Sequence, residues 1–258
     1  MRFRNLKIEG KFSLVSKPSL NEEFHAGARH FCDLVRPLMN PDNRNRLLVA
    51  GCGTAHEAVY IRNHLDVELT GVDVEPQWDP STVIGLPNFQ LLEGSILDLP
   101  FPDDSFEIVF YHHVIEHVSD PARSLDELVR VLVPGGLIYV GTPNRHRAVG
   151  YLGSHTATVR EKIRWNLLDY KARLQNRFRN EYGAHAGFTE NELSGLMRAR
   201  FADVHFLTSD YIRFKYRKKL PAPVLNTLSS QPLMELAAAA VYVVGRKPFP
   251  TKSNHGQT

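Results

Sequence analysis

The chain has little cysteine and no long apolar run, and each absence excludes a class of protein. Two cysteines in 258 residues, Cys32 and Cys52, cannot build a disulfide framework, which points to a reducing compartment such as the cytoplasm. The longest apolar stretch, Leu236–Val244, is far shorter than the roughly 20 residues a membrane-spanning helix needs. The start, Met1-Arg2-Phe3-Arg4-Asn5, carries charge without an apolar segment behind it, so no secretory leader is expected. Net charge is only +3, so where the charges lie matters more than their sum. There is no internal repeat and no low-complexity block. Hydrophobic content of 43% fits a globular chain, and the length fits one large domain or a domain with a lid.

What is there is organised around Leu47–Ala55, Leu-Leu-Val-Ala-Gly-Cys-Gly-Thr-Ala. Leu47, Leu48, Val49 and Ala50 suit the centre of a parallel sheet, where both faces of a strand are covered. Gly51 and Gly53 let the chain turn sharply and lie against a ligand with no Cβ in the way. Thr54 with Glu57 fits a capping box and predicts a helix opening there. Strand, glycine turn and helix form the site of open α/β sheets; a tight turn without ligand is the plain alternative. A second strand, Val67–Val74, ends in Asp73, 22 positions after Gly51. An acid at that place can accept from both hydroxyls of a ribose.

Around this unit the chain alternates. Phe31, Val35 and Leu38 continue a helical spacing begun at Phe24 and Ala28, so 22–39 reads as an amphipathic helix, packed on the sheet edge or serving as a lid. Pro76, Pro80 and Pro87 forbid a full crossover helix after the second strand. Phe89–Leu92, Phe106–Tyr111 and Leu137–Thr142 read as further strands. Asp120-Pro121 opens a helix carrying Leu125, Leu128, Val129 and Leu132, and Pro134-Gly135-Gly136 is expected to stop it. Thr189 and Glu192 form another capping box, and Val204–Leu207 and Val241–Gly245 look like late strands. The alternation predicts an α/β, doubly wound, Rossmann-like sheet.

A dinucleotide site wants a third glycine where His56 stands, and a phosphate loop wants a Gly-Lys-Ser/Thr ending that is missing. The ligand should carry a ribose and a small polar head without a pyrophosphate. Here the residues resemble the class I S-adenosylmethionine-dependent methyltransferases. The resemblance rests on Val49–Thr54, Thr70–Asp73, Leu99–Val109 and Arg130–Gly136, in the family's order over residues 45–145. Val241–Lys247 also looks like the family's last strand. The resemblance implies a seven-stranded sheet with an antiparallel last strand. It also implies S-adenosylmethionine as cofactor: Gly51 and Gly53 flank the methionine part, Asp73 holds the ribose, Ser95 and Ile96 line the adenine, and Tyr111 sits near the methyl donor. Ala55 stands where a third glycine is common, and Glu107 replaces the usual aspartate.

A sulfonium is already an activated methyl donor, so the protein must align the acceptor and take its proton. His112, His113, Glu116 and His117 are candidate bases. His113-Val114-Ile115-Glu116-His117 also matches the inverted zinc-protease motif, which requires a helix. The same run resembles the Glu-x-x-Glu-His segment of ubiquinone-biosynthesis O-methyltransferases and small-RNA 2′-O-methyltransferases, where it binds a divalent metal. There His113, His117 and a later histidine, His185, would form the catalytic set, with Glu116 as a further ligand. A structural brace is the simpler role for Glu116 and His117.

Residues 145–186 fall where this fold places a substrate cover. Val159, Ile163, Leu167, Tyr170, Leu174 and Phe178 keep helical spacing, so most of 157–181 should be helix. Basic residues outnumber acids there and again over Arg213–Lys219, a bias that recruits an anionic partner or marks only a solvated face. The chain divides into an arm and helix (1–45), a cofactor-binding core (46–144), a lid (145–186), the rest of the core (187–247) and a tail (248–258). The expected activity is methyl transfer to a small or lipid-like acceptor, more readily at oxygen, with membrane-surface contact in scope and nucleic acid disfavoured. A cofactor-binding protein without turnover and a metal-dependent hydrolase are the other classes.

Overall fold

In the computed structural model, residues 25–39, 45–79, 86–150, 158–177 and 187–250 are described. Seven strands form one sheet: β1 Asn45–Ala50, β2 Val67–Asp73, β3 Phe89–Glu93, β4 Phe106–His112, β5 Leu132–Pro143, β6 Ala202–Phe206 and β7 Ala240–Arg246. Their order is β3-β2-β1-β4-β5-β7-β6. β1 to β5 run parallel, and β7 is antiparallel to both neighbours. The chain winds from β1 out to β3, then returns to β4 on β1's other side. That reversal opens a crevice at the carboxyl ends of β1 and β4, where such sheets bind ligands.

Helices cover both faces. α1 Ala26–Val35, α2 His56–His64 and α6 Thr208–Tyr216 share one side, with Phe31, Val35 and Ile61 buried against Leu47, Val49, Phe110 and Tyr139. α3 Pro121–Val131 and α5 Glu190–Arg198 cover the other, with Leu125, Leu128, Leu193 and Met197 against Leu48, Val109, Tyr111 and Val243. α1 therefore lies across the sheet face and not at its edge. Strand alternation sorts neighbouring residues between these two cores.

Several local signals act as expected. Asp120 caps α3 by accepting from the Arg123 amide at 2.9 Å, with Pro121 in the first turn. Thr189 and Glu192 complete a reciprocal capping box at α5. The proline-bearing link after β2 holds no helix or strand over 74–79 and 86–88; 80–85 lie outside the described residues. Glu107 fills its place by reaching β1: it accepts from the Arg46 amide at 2.7 Å and its guanidinium at 2.6 Å.

Others differ. α3 ends at Val131, and Leu132 already pairs with Phe106, so Pro134-Gly135-Gly136 lies inside β5. A register shift between the Phe106 and Ile108 pairs absorbs the extra residues, and Gly135 makes the bend with φ +79°. Val131, not Val129, completes the buried side of α3. α4 spans Val159–Leu174, shorter than the spacing suggested, and 178–181 lie outside the described residues. α6 and two short helices, α7 Ala222–Leu228 and α8 Leu233–Ala237, have no counterpart in the sequence reading; Ile212, Leu225, Met234 and Ala238 close a small core between them.

His30 of α1 is buried beneath Tyr139, Tyr211, Phe214 and Tyr242, its Nδ1 3.0 Å from the Tyr139 hydroxyl. Burial pushes its pKa down to about 4, partly offset by Asp210 and Asp33. The unfolded chain takes up this proton near pH 6.5, whereas the folded chain resists it until about pH 4. This residue's contribution is therefore full above pH 6.5 and is lost as the pH falls toward 4, by about 3 kcal/mol. Urea unfolding at both ends of this range should show that slope, and His30→Phe should flatten it. An unchanged slope in the variant would assign the acid sensitivity elsewhere.

Candidate functional site

The site starts where β1 ends. The Gly51 and Cys52 amides both donate to the Val72 carbonyl, at 2.8 and 3.1 Å, so the turn leans on β2. Gly51 has φ +74°, and a Cβ there would sit 2.4 Å from Val114. Gly53 has φ +47°, but a Cβ there would meet nothing within 4 Å. The first glycine is thus demanded by packing, and the second faces open space. Burial raises the Cys52 thiol to about 12, with the Asp73 carboxylate adding to the shift, so this cysteine stays protonated.

The expected capping box at Thr54 and Glu57 does not form. α2 begins at His56 behind Ala55, which takes φ +63° without any side-chain cap. Ala55 occupies the left-handed conformation that glycine adopts without strain. Glu57 is thereby released from capping and turns to β4. Its carboxylate lies 3.0 Å from His112 Nδ1. A carboxylate only accepts, so Nδ1 carries a proton, and in the neutral ring the lone pair then lies on Nε2. Desolvation alone would raise the Glu57 pKa, but His112, with His113 and His25 nearby, holds it below its usual value.

The His112 ring is 6% exposed and wedged between two glycines. A Cβ on Gly27 of α1 would fall 2.5 Å from it, and one on Gly141 of β5 2.4 Å. Its Nε2 is buried and has no protein partner. A cavity of about 150 Å³ joins these parts: Gly51, Cys52, Gly53 and Thr54 line it together with Glu57, Phe110 and His112.

Asp73 closes the turn from the other strand. One carboxylate oxygen accepts from the Gly53 amide at 2.7 Å and the other from Glu75 at 3.0 Å. Each oxygen keeps a further lone pair for a ligand. Ser95 accepts from the Leu97 amide at 3.1 Å in the loop after β3, and Ile96 is buried beside Val72 and Leu99. Neither is among the residues lining the cavity.

Tyr111, expected beside the methyl donor, is fully buried on the α3 side and donates to Ser124 Oγ at 3.1 Å. Burial raises its pKa. The strand alternates, so Phe110 and His112 face the cavity and Tyr111 faces away. The run His113–His117 is a turn and not a helix, so the inverted-protease geometry is absent. Glu116 is buried there and accepts from Thr142 Oγ1 at 3.1 Å and, at 3.4 Å, from His113. It braces the loop to β5. His113 adopts φ +55°, and desolvation and the His112 ring lower its pKa against the pull of Glu116. His117 is 71% exposed. Among the described residues no group of three histidines, cysteines or carboxylates is placed to hold a metal ion, and His185 lies outside them.

Residues 48–140, which hold the glycine turn, Asp73, Glu57 and His112, match the family model of the methyltransferase domain. By this match residues 48–140 are a methyltransferase domain. It is similar to a probable S-adenosylmethionine-dependent methyltransferase of Mycolicibacterium smegmatis, at 35% identity over half of this chain and 49% of that one. It is also 30% identical to ajmaline N-methyltransferase of Rauvolfia serpentina, over 39% of this chain and 37% of the relative. The chain thus spans half or less of the length of these curated relatives. A solved S-adenosylmethionine-dependent methyltransferase from Mesorhizobium loti shares the fold, with TM-score 0.53 at 17% identity, over 83% of this chain and 96% of the other.

The two glycines of the turn are expected to separate fold from binding. Gly51→Ala should lower stability by about 1–3 kcal/mol, because Val114 must move. Gly53→Ala should cost about 1 kcal/mol of backbone strain, yet weaken S-adenosylhomocysteine binding about tenfold or more by filling the space the turn leaves open. Denaturant titration and calorimetry on both variants check this. Equal effects on stability and affinity at the two positions would contradict the division of roles.

Proposed function

We propose that this domain binds S-adenosylmethionine across Gly51–Gly53 and transfers its methyl group to a hydroxyl of a small or lipid-like acceptor. The observation that carries this reading is the shared cavity: the ligand-facing glycine turn and the Glu57–His112 pair line one space. The cavity's bare main chain at Gly53 and the spare lone pairs of Asp73 fit a ribosyl ligand without a pyrophosphate. Asp73 takes the ribose hydroxyls, with Ser95 and Ile96 on the adenine side. The cofactor supplies a sulfonium-bound methyl group.

Every further task falls to the chain. The acceptor oxygen must approach the methyl carbon in line, and its proton must leave as the carbon–oxygen bond forms and the carbon–sulfur bond breaks. His112 Nε2 takes that proton, and Glu57 stabilises the imidazolium through Nδ1–H. The electron pair of the broken bond stays on sulfur. Gly27 places the first turn of α1 over Nε2, so this turn roofs the acceptor side. His113 and His117 stand outside this cavity, and their roles here are to shape the loop; His185 belongs to the lid, 145–186, proposed to cover the acceptor. The oxygen preference rests on the presence of a positioned base, since the Rauvolfia relative is an N-methyltransferase.

Calorimetry with S-adenosylhomocysteine tests binding. Asp73→Ala should weaken it about a hundredfold through two lost charge-assisted hydrogen bonds, and Asp73→Asn less. Absence of heat for the wild-type chain would end the assignment. Transfer of labelled methyl from S-adenosylmethionine to components of a cell extract tests turnover. His112→Gln should cut transfer about a hundredfold or more while leaving S-adenosylhomocysteine affinity within about threefold. Glu57→Gln, which removes the charge facing Nδ1, should lower transfer about tenfold with the same unchanged affinity. Full transfer by His112→Gln would remove the base from the mechanism.

A further inference from the structure

α4 is folded inside out. At about 100° per residue, Val159, Ile163, Leu167, Tyr170 and Leu174 fall within about 80° of one another. Four of them point to solvent, Val159, Ile163, Leu167 and Leu174 being 73, 56, 63 and 88% exposed, while Tyr170, 42% exposed, lies along the stripe with its hydroxyl turned back to the chain. The half-buried side of the helix carries Lys162, Trp165, Asn166, Asp169, Ala172 and Arg173. Asn166 fixes this orientation. Its amide accepts from the Gly150 backbone at 2.7 Å and donates to the Gly150 carbonyl at 3.1 Å, and the Tyr170 hydroxyl donates to the Ala148 carbonyl. An amphipathic surface helix normally faces the other way.

The charges border the stripe in a definite way. Arg160, Lys171 and Arg164 form a rail directly beside it, at about 100, 120 and 140° from Val159. Glu161 lies farther round, and its carboxylate is engaged in the capping box with Thr158. An exposed apolar stripe edged by cations matches a surface that is apolar within and anionic at its rim, which is the order of layers in a bilayer leaflet. A second copy of the helix would meet the rail with a like rail, and charge opposes that pairing.

We propose that α4 is the surface by which this chain lies on an anionic membrane, with the stripe in the acyl boundary and the rail at the headgroups. The place suits such a role. His112 pairs with Gly141 in the parallel β4–β5 register, so the chain leaving β5 toward α4 emerges from the same end of the sheet as the candidate site. The inference deepens the lipid-like acceptor reading and rests on it for its purpose only, because membrane contact is measured without turnover.

The test is flotation of the full chain with vesicles of phosphatidylcholine alone or mixed with phosphatidylglycerol. The wild-type chain should float with the mixed vesicles, far less with the neutral ones, and release as salt rises. Arg160→Glu with Arg164→Glu should weaken binding about thirtyfold, and Ile163→Asp with Leu167→Asp should abolish it. S-adenosylhomocysteine affinity should be unchanged in both, which separates failure here from failure of the cofactor site. These positions are exposed, and the charge variant carries the test should the apolar one misfold. No flotation with mixed vesicles overturns the proposal, as does flotation that both variants retain. A concentration-dependent dimer in vesicle-free sedimentation, dissolved by Ile163→Asp with Leu167→Asp, would make a second copy the occupant and overturn it too.

Discussion

The hydrogen bond from the Gly53 amide to Asp73, 2.7 Å long, holds the carboxyl end of the sheet together around the candidate site. Through its side chain Asp73 fixes the turn that leaves β1. Through its main-chain carbonyl it accepts from the Gly94 amide at 2.9 Å, where β3 ends. One residue thus ties the ends of three adjacent parallel strands. A parallel strand cannot be closed by a hairpin, so its end leaves backbone groups that the next loop must satisfy. Asp73 does this with two atoms and still has acceptor capacity on both carboxylate oxygens. The bond also explains why the glycine turn keeps its shape without a capping side chain at Ala55. The turn is held from β2 and has no need of help from α2.

That freedom matters for chemistry. A glutamate early in a helix ordinarily serves the helix, by capping or by its charge near the positive end of the helix dipole. Here Glu57 remains near that end but bonds His112 on β4. The histidine in turn needs two glycines, Gly27 and Gly141, to admit its ring. Neither glycine belongs to the turn after β1, and Gly27 sits on a helix where glycine costs about 1 kcal/mol relative to alanine. A fold that carries this cost beside an unpartnered buried nitrogen has a specific arrangement to keep there.

The fold was legible in the sequence to the extent that one strand decides one signal. Apolar runs marked the parallel strands, Asp120-Pro121 marked α3, and Thr189 with Glu192 marked α5, because each depends on neighbours in the chain. The turn at Ala55 is not legible, because Thr54 and Glu57 satisfy the capping pattern and only the left-handed backbone of Ala55 excludes it. Strand parity is hidden too. Choosing between Tyr111 and His112 requires knowing which face of β4 meets the crevice, and a register shift beside Ile108 is not visible in a linear pattern. The glycine pair after α3 read as a stop signal, although the chain there is already pairing with β4. α7 and α8 are too short for periodicity to reveal.

α4 shows a different limit. Its helical period was plain, and so was its charge, but the pattern does not say which side faces inward. A helix is oriented by the free energy of burying its apolar side, unless polar groups on the other side have partners that exist only in the folded chain. Asn166 has such partners in Gly150, and the backbone of a loop end left unbonded beneath α4 would be costly. Satisfying that loop turns the stripe of Val159, Ile163 and Leu167 outward. The same contact that secures the chain after β5 therefore creates the apolar surface beside the site, so the orientation of α4 follows from closing the loop and not from burying its apolar side.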